Sequence, residues 1–264
     1  MSRQHAVILS VTLLMLTAVT GCRTSEPLER MAIAPWPCVM EVAYTPEAIR
    51  VDGIMDEASW QNAQPVFFMD DIDPPNRNTA RVWVLWDKQY LYFAFSVKDS
   101  SLRATHTEHD TAFSGDDGVE ILIDTRLDRS DKWLQDDYCW HVNLNDAILD
   151  SRGTSDGKID NSWNGNALSK TVIAGTLNDD RPDEGYITEM AVPWTDLGVS
   201  GLDKGIEIGL DLCVNDFDEN SDTCQYFDWC KSKELYQPSG FGLARLVRQM
   251  EIPARKPSSE RLLW

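Results

Sequence analysis

From about Ala43 onward, apolar and polar residues alternate with the two-residue period of β-strands. Ala80, Val82, Val84 and Trp86 fall on one side of a predicted strand over 80–86. Asp87-Lys88-Gln89 supplies a turn. The chain then returns over 90–98 with Leu91, Phe93, Phe95 and Val97 on one face. A third strand is predicted over 119–124. Over 138–144, Trp140, Val142 and Leu144 alternate against Cys139, His141 and Asn143. Over 206–214, Ile206, Ile208, Leu210, Leu212 and Val214 alternate against Glu207, Gly209, Asp211, Cys213 and, one step on, Asn215. Further strands are predicted over 171–177, 186–192, 225–229 and 242–247.

Many short strands divided by turn-rich loops predict an all-β chain, an antiparallel β-sandwich with short helical turns. The helical candidates are brief: 56–62, and 194–197 after Pro193. No internal repeat is visible.

The first 22 residues depart from this pattern. Arg3 and His5 precede an apolar stretch from Ala6 to Val19, which ends in Val19-Thr20-Gly21-Cys22. The stretch is too short for a stable membrane span and reads as an export signal. A Cys directly after Gly21 resembles a bacterial lipobox, with Cys22 as the lipidated new N-terminus. Arg23, in place of Asp, points to the outer membrane if the cell is Gram-negative. The expected organisation is a signal peptide over 1–22, a tether over 23–42, one domain over 43–248 and a basic tail over 249–264. A coil of the tether's length reaches roughly 20 Å.

The chain carries 43 acidic against 24 basic residues, a net charge of −19. That argues against nucleic acid and against charge-driven binding to an anionic membrane. Contact with the membrane is expected through the lipid anchor only. Export permits disulfides. Cys224 and Cys230 are close enough to close a small loop. Cys139 and Cys213 sit in predicted strands and would bridge if those strands are neighbours. With Cys22 lipidated, five Cys remain, so one is left over.

Four segments carry a family resemblance: Val51-Asp52-Gly53 with Asp56-Glu57 and Trp60; Leu85-Trp86-Asp87 with Tyr90-Leu91-Tyr92; Asp116 to Asp124; and Glu189 to Trp194, followed by Gly209 to Asp216 and Pro238 to Gly242. In this order they resemble carbohydrate-binding module family 9, a β-sandwich in the wider group that holds the DOMON domains. The resemblance spans about Ala43 to Val247. It implies a non-catalytic glycan-binding domain that supports partner glycoside hydrolases. On physical grounds Trp60 and Trp86 read as core anchors and Asp52-Gly53 as a turn.

Glu120, His141, Asn143, Asp211 and Asn215 lie on strand faces opposite the apolar ones. A sheet with one wet face produces the same alternation. The functional reading is that these groups hydrogen-bond sugar hydroxyls. The resemblance places the family's sugar-contacting Glu on Glu120, and its Arg-x-Asn pair on His141 and Asn143, where the Arg is absent. The two clamping Trp rings would fall near Ser114 and Leu235, which leaves Phe113 and Tyr236, one position away, as stacking candidates.

Asp216, Asp218, Asn220 and Asp222 have the spacing that opens an EF-hand loop, but Ser221 and Phe227 break that motif. The resemblance implies structural calcium, here or at Asp70-Asp71-Ile72-Asp73. Solvated acidic turns fit the same residues. His106, Glu108 and His109 read as a polar surface loop. Two other functions stay open: a haem-binding or electron-transfer domain with His141 and Met190 as axial ligands, and a structural envelope protein that has lost its sugar site.

Overall fold

The computed structural model describes residues 38–70, 78–112, 115–199, 205–217, 225–231 and 234–248. Along the chain these form β1 (Val39–Tyr44), α1 (Ala58–Asn62), β2 (Val66–Met69), β3 (Thr79–Trp86), β4 (Tyr90–Lys98), β5 (Gly118–Asp124) and β6 (Asp137–Asn143). Then come β7 (Ile148–Gly153), β8 (Ile159–Asp160), β9 (Leu168–Ala174), β10 (Gly185–Pro193), β11 (Glu207–Asp216) and β12 (Gln225–Asp228). A 3-10 turn at Pro238–Gly240 precedes β13 (Gly242–Val247). Among the described residues, no helix is long and apolar enough to cross a membrane.

The thirteen strands of the described residues join one sheet in the order β8-β7-β6-β5-β11-β13-β1-β3-β4-β10-β9, with β12 added to β11 and β2 to β3. The sheet curls so that its two halves face each other. Val84, Phe93, Phe95 and Val192 from one half share a core with Ile121, Trp140, Val142 and Leu212 from the other. This is the sandwich that the alternation predicts, and the inward faces are those read from the sequence.

Three features differ from expectation. The sheet is mixed rather than purely antiparallel, because β1 runs parallel to both β13 and β3. A parallel pair needs a long crossover, and residues 45–78, with α1 and β2, supply it. In addition β1 starts at Val39, so the last residues of the expected tether belong to the sheet. The 194–197 helical candidate is a turn.

Each outer face of the sandwich is covered by an excursion of the chain. On one, Trp60 and Ile49 pack on Trp83, Leu85, Tyr92 and Ala94. The α1 segment is fastened there by Glu189 on β10, whose carboxylate accepts N–H groups from Asp52 (3.0 Å), Gly53 (2.8 Å) and the Trp60 indole (3.1 Å). Gly53 has φ +79°, and a Cβ there would lie 2.5 Å from Val172 Cγ2. Both the backbone conformation and the contact therefore require glycine. Trp86, fully buried, donates to the Val247 carbonyl at 3.1 Å. On the other outer face, Trp133, Leu235 and Phe241 cover Leu122, Cys139 and Cys213. That cover stops short of the strand ends, and a cleft opens beside it.

Candidate functional site

Strand register builds the cleft floor. Glu120 on β5 stands opposite Cys213 on β11 and His141 on β6, and His141 stands opposite Leu149 on β7. One step along, Cys139 stands opposite Ser151. Successive residues on a strand point to opposite faces. Since Ile121, Trp140 and Val142 fill the core, Glu120, Cys139 and His141 face outward. Trp133 and Tyr236 close one wall; Ser151, Ile159 and Asn161 close the other, around a volume of about 210 Å³.

Glu120 organises the floor. It is 1% exposed. Its Oε1 accepts the Asn215 amide at 2.6 Å, and the Tyr236 hydroxyl lies 2.9 and 2.8 Å from its two oxygens. His141 Nδ1 lies 3.6 Å from Glu120 Oε1, and its Nε2 lies 3.3 Å from Asn215 Nδ2. Burial pulls the His141 pKa down; the Glu120 and Asp116 carboxylates oppose that shift. The ring is therefore held neutral, with Nε2 as acceptor toward the Asn215 amide. Burial and then the Glu120 charge push the Tyr236 hydroxyl and the Cys139 thiol well up, so both keep their protons. An ionised thiolate is what nucleophilic chemistry requires, and this site disfavours it.

Tyr236 combines two properties. Its hydroxyl is tied to Glu120, while the residue as a whole is 48% exposed. The Trp133 ring centroid lies 6.4 Å from that of Tyr236 at an interplanar angle of 48°, and the Trp133 indole donates to the Tyr236 carbonyl. The ring is thus held from both ends, with a face left open. On the far wall the Ser151 hydroxyl donates to Asn161 Oδ1 at 2.8 Å.

Of the site residues expected from sequence, the fold brings Glu120, His141, Asn215 and Tyr236 together. Asn143 is placed elsewhere. Its amide donates to the His106 carbonyl and to Asp116, and its Oδ1 accepts the N–H groups of Asn145 and Ala147, so it builds a loop instead of lining the cleft. Burial opposes charge on Asp116, but N–H groups of His106 and Thr105 and the Asn143 amide outweigh it and hold that carboxyl low. Asp211 is buried beneath the 228–230 segment, where Oδ1 accepts the Leu212 and Cys230 N–H groups; burial and Asp228 push its carboxyl well up. Phe113 lies outside the described residues. Trp133, Leu149, Ser151, Ile159 and Asn161 line the cleft without having been expected there. A lone Trp directly after the polar run from Asp128 to Lys132 was the available signal for Trp133.

The Cys139–Cys213 bridge is excluded by register. Strand β5 lies between their strands, which places them about two strand spacings, roughly 10 Å, apart, whereas a disulfide spans less than about 7 Å between Cα atoms. Cys224 lies outside the described residues. The two axial-ligand candidates also diverge: Met190 is packed in the core, whereas His141 faces outward. His106 pairs with Asp116 at 3.0 Å, and His109 is exposed.

A second cluster lies at the start of β5. Asp99, Asp117 and Asp216 are all buried, and each contributes an oxygen within 4.8 Å of the others. Burial, together with the Asp99 and Asp216 charges, pushes Asp117 up to about 9, against N–H donors from Phe217 and Arg103. The Asn78 amide donates to Asp216 at 2.6 Å, and its backbone N–H donates to Asp70 at 2.8 Å. Of the other expected metal ligands, Asp218, Asn220, Asp222, Asp71 and Asp73 lie outside the described residues.

Residues 51–249 match the family model described as "Carbohydrate family 9 binding domain-like". Endo-1,4-beta-xylanase A of Thermoanaerobacterium saccharolyticum is 30% identical over 194 residues, 73% of this chain and 15% of that protein. Exoglucanase XynX of Acetivibrio thermocellus is 28% identical over 194 residues, 73% of this chain and 16% of that one. The match thus covers less than a fifth of these relatives' length. Two solved structures share the fold. A family 9 carbohydrate-binding module of Caldicellulosiruptor kristjanssonii in complex with cellotriose aligns with TM-score 0.59 at 21% identity, covering 84% of this chain and all of that one. The same organism's module in complex with glucose gives 0.58 at 21%, covering 81% and 98%. With the family model matched over most of its length and the curled β architecture shared with both modules, this chain belongs to the carbohydrate family 9 binding domain-like proteins.

Proposed function

We propose that the Glu120 cleft binds a neutral glycan without chemical change. The observation that carries this reading is the pairing of a buried carboxylate with a half-exposed aromatic ring on one small cleft. Sugar rings present a ring of hydroxyls at the edge and an apolar face of C–H groups. Glu120 and His141 supply acceptor and polar contacts for the hydroxyls, with Ser151 and Asn161 opposite. The open face of Tyr236 supplies stacking, worth about 0.5–1.5 kcal/mol beyond area burial for ring–ring pairs. The volume lies below that of drug-sized pockets, which favours one or two sugar units over a long chain in contact. The matched modules that hold glucose and cellotriose support the same ligand class. Glycoside hydrolysis needs two carboxyls across the scissile bond. Among the described cleft-lining residues Glu120 is the sole carboxylate. The expected result on an array of neutral oligosaccharides is retention of the folded domain; absence of retention across gluco- and xylo-oligosaccharides would refute the proposal.

Asp99, Asp117 and Asp216 would hold a calcium ion with a structural role. Calcium takes hard oxygen ligands in flexible geometry, and buried carboxyls with oxygens within 4.8 Å of one another repel when ionised, so that Asp117 holds a proton until a cation displaces it. Ligand present at 100 times its Kd stabilises by about 2.7 kcal/mol. Melting should therefore rise on adding calcium and fall in EGTA, and Asp117→Asn should remove the difference. Identical melting of the unaltered chain in calcium and in EGTA would contradict this role.

Cys22 as a lipid attachment point would place the domain at the cell envelope, within reach of polysaccharide and of glycoside hydrolases acting on it. The xylanase and exoglucanase relatives support that setting. Metabolic labelling of the full chain with a fatty-acid analogue should mark the unaltered protein and not Cys22→Ser. Equal labelling of both, or of neither, would reject the anchor.

A further inference from the structure

Cys38 and Cys230 are far apart in sequence but meet beside β13. Their side chains are near neighbours, and each acts on the other's thiol. Cys38 Sγ also reaches the Trp229 carbonyl at 3.3 Å, the residue before its partner. The backbone holds both ends: the Leu243 N–H donates to the Cys38 carbonyl at 2.8 Å, and the Cys230 N–H donates to Asp211 at 3.2 Å. Gly242 lies between them. A Cβ there would stand 2.8 Å from Cys230 Sγ and 3.0 Å from Cys38 Cβ. The two side chains thus share one small gap that glycine keeps open, the close approach a disulfide requires.

We propose that Cys38 and Cys230 form a disulfide when the chain is in an oxidising compartment. Neither residue belongs to the sugar cleft, and the pairing replaces the Cys224–Cys230 loop expected from sequence spacing. The chemistry is thiol–disulfide exchange with a small-molecule or protein disulfide as oxidant. The Cys38 thiolate attacks the oxidant and releases one thiol. The Cys230 thiolate then attacks that mixed disulfide at the Cys38 sulfur and releases the second. Two thiols lose two protons and two electrons, and the oxidant gains them. Cys38 is suited to attack first. It is partly exposed, and its interaction with the neighbouring Cys230 thiol is the main influence holding its own thiol below the usual range. The same interaction, followed by burial, pushes Cys230 up. The bond would fasten the first strand of the domain to the segment that leads on to Tyr236, closing most of the domain into one covalent loop.

The test is peptide mapping of the full chain under non-reducing conditions, after refolding with oxidised glutathione. The expected result is a Cys38–Cys230 linked peptide, two hydrogens lighter than its parts, that disappears on reduction. Alkylated free thiols at both positions, or Cys230 linked to Cys224, would overturn the proposal. Oxidised protein should also melt roughly 5–15 °C above the reduced form, since a long closed loop is constrained in the unfolded state. Cys38→Ser should melt as the reduced form does, with or without oxidant. If Cys38→Ser does not fold, the map of the unaltered chain decides alone.

Discussion

Replacing Glu189 with alanine is expected to lower the stability of the domain by about 3–5 kcal/mol, from two buried donors and one part-buried donor left without an acceptor at about 1–3 kcal/mol each, partly relieved by water. The donors are the Asp52 and Gly53 N–H groups and the Trp60 indole. Burial pushes the Glu189 carboxyl up, and the two backbone donors oppose that shift. The carboxylate is what ties the α1 excursion to β10. Without it the turn at Gly53 and the Trp60 anchor lose their shared acceptor, and the outer cluster over Trp83 and Tyr92 opens. Glu189→Gln should cost less, because one amide oxygen can serve the two backbone donors while its NH2 group faces the indole N–H. Urea unfolding measures this as a lower midpoint with unchanged slope. An alanine variant within 1 kcal/mol of the unaltered chain would show that packing of Trp60, and not Glu189, holds this face.

The second large effect is expected at Glu120. Glu120→Gln keeps the shape of the floor and removes its charge. Hydrogen bonds to an ionised acceptor contribute about 1.5–3 kcal/mol, against about 1 for a neutral one. The difference corresponds to roughly a tenfold loss of sugar affinity, or somewhat more. The amide would also turn a donor toward either the Asn215 amide or the Tyr236 hydroxyl, now 2.6 and 2.9 Å from Oε1. Asn215→Asp should act by a different route. It places a second carboxylate beside Glu120 and should weaken binding through repulsion. Affinity measured by titration calorimetry, with melting as a control for folding, separates these effects. Unchanged affinity in Glu120→Gln would remove the carboxylate from the site.

The inward half of this fold was legible because apolar alternation has one physical cause, burial against the opposing half of the sheet. Ala80 to Trp86, Leu91 to Val97 and Ile208 to Val214 all obey it. The same logic found Glu120, His141 and Asn215 as outward residues of β5, β6 and β11. Alternation cannot tell which outward polar group meets a ligand and which is spent on the protein itself. Asn143 and Asp211 have the same periodicity as His141 and Asn215, yet loops fold over them and claim their oxygens. The far wall was missed for the converse reason. In β7 and β8, Asp150, Ser151, Arg152 and Asp160 interrupt any apolar face, because one side of these strands borders the cleft instead of the core. The parallel placement of β1 depends on a crossover, and no local pattern encodes that. Pairing of cysteines has the same character: Cys139 and Cys213 are both in strands, but a third strand between them is a fact of topology.

Titration calorimetry with cellotriose, and separately with glucose, in calcium-containing buffer, on the unaltered domain and on Tyr236→Ala puts the sugar site to the most decisive test. Removing Tyr236 deletes the exposed stacking face and the hydroxyl bound to Glu120 while leaving the sandwich core intact. The expected result is saturable binding to the unaltered domain and at least a tenfold weaker signal in Tyr236→Ala, at a melting temperature that shows both proteins folded. No binding heat from the folded unaltered domain with either sugar, or equal binding by both proteins, would contradict a sugar site at the Glu120 cleft.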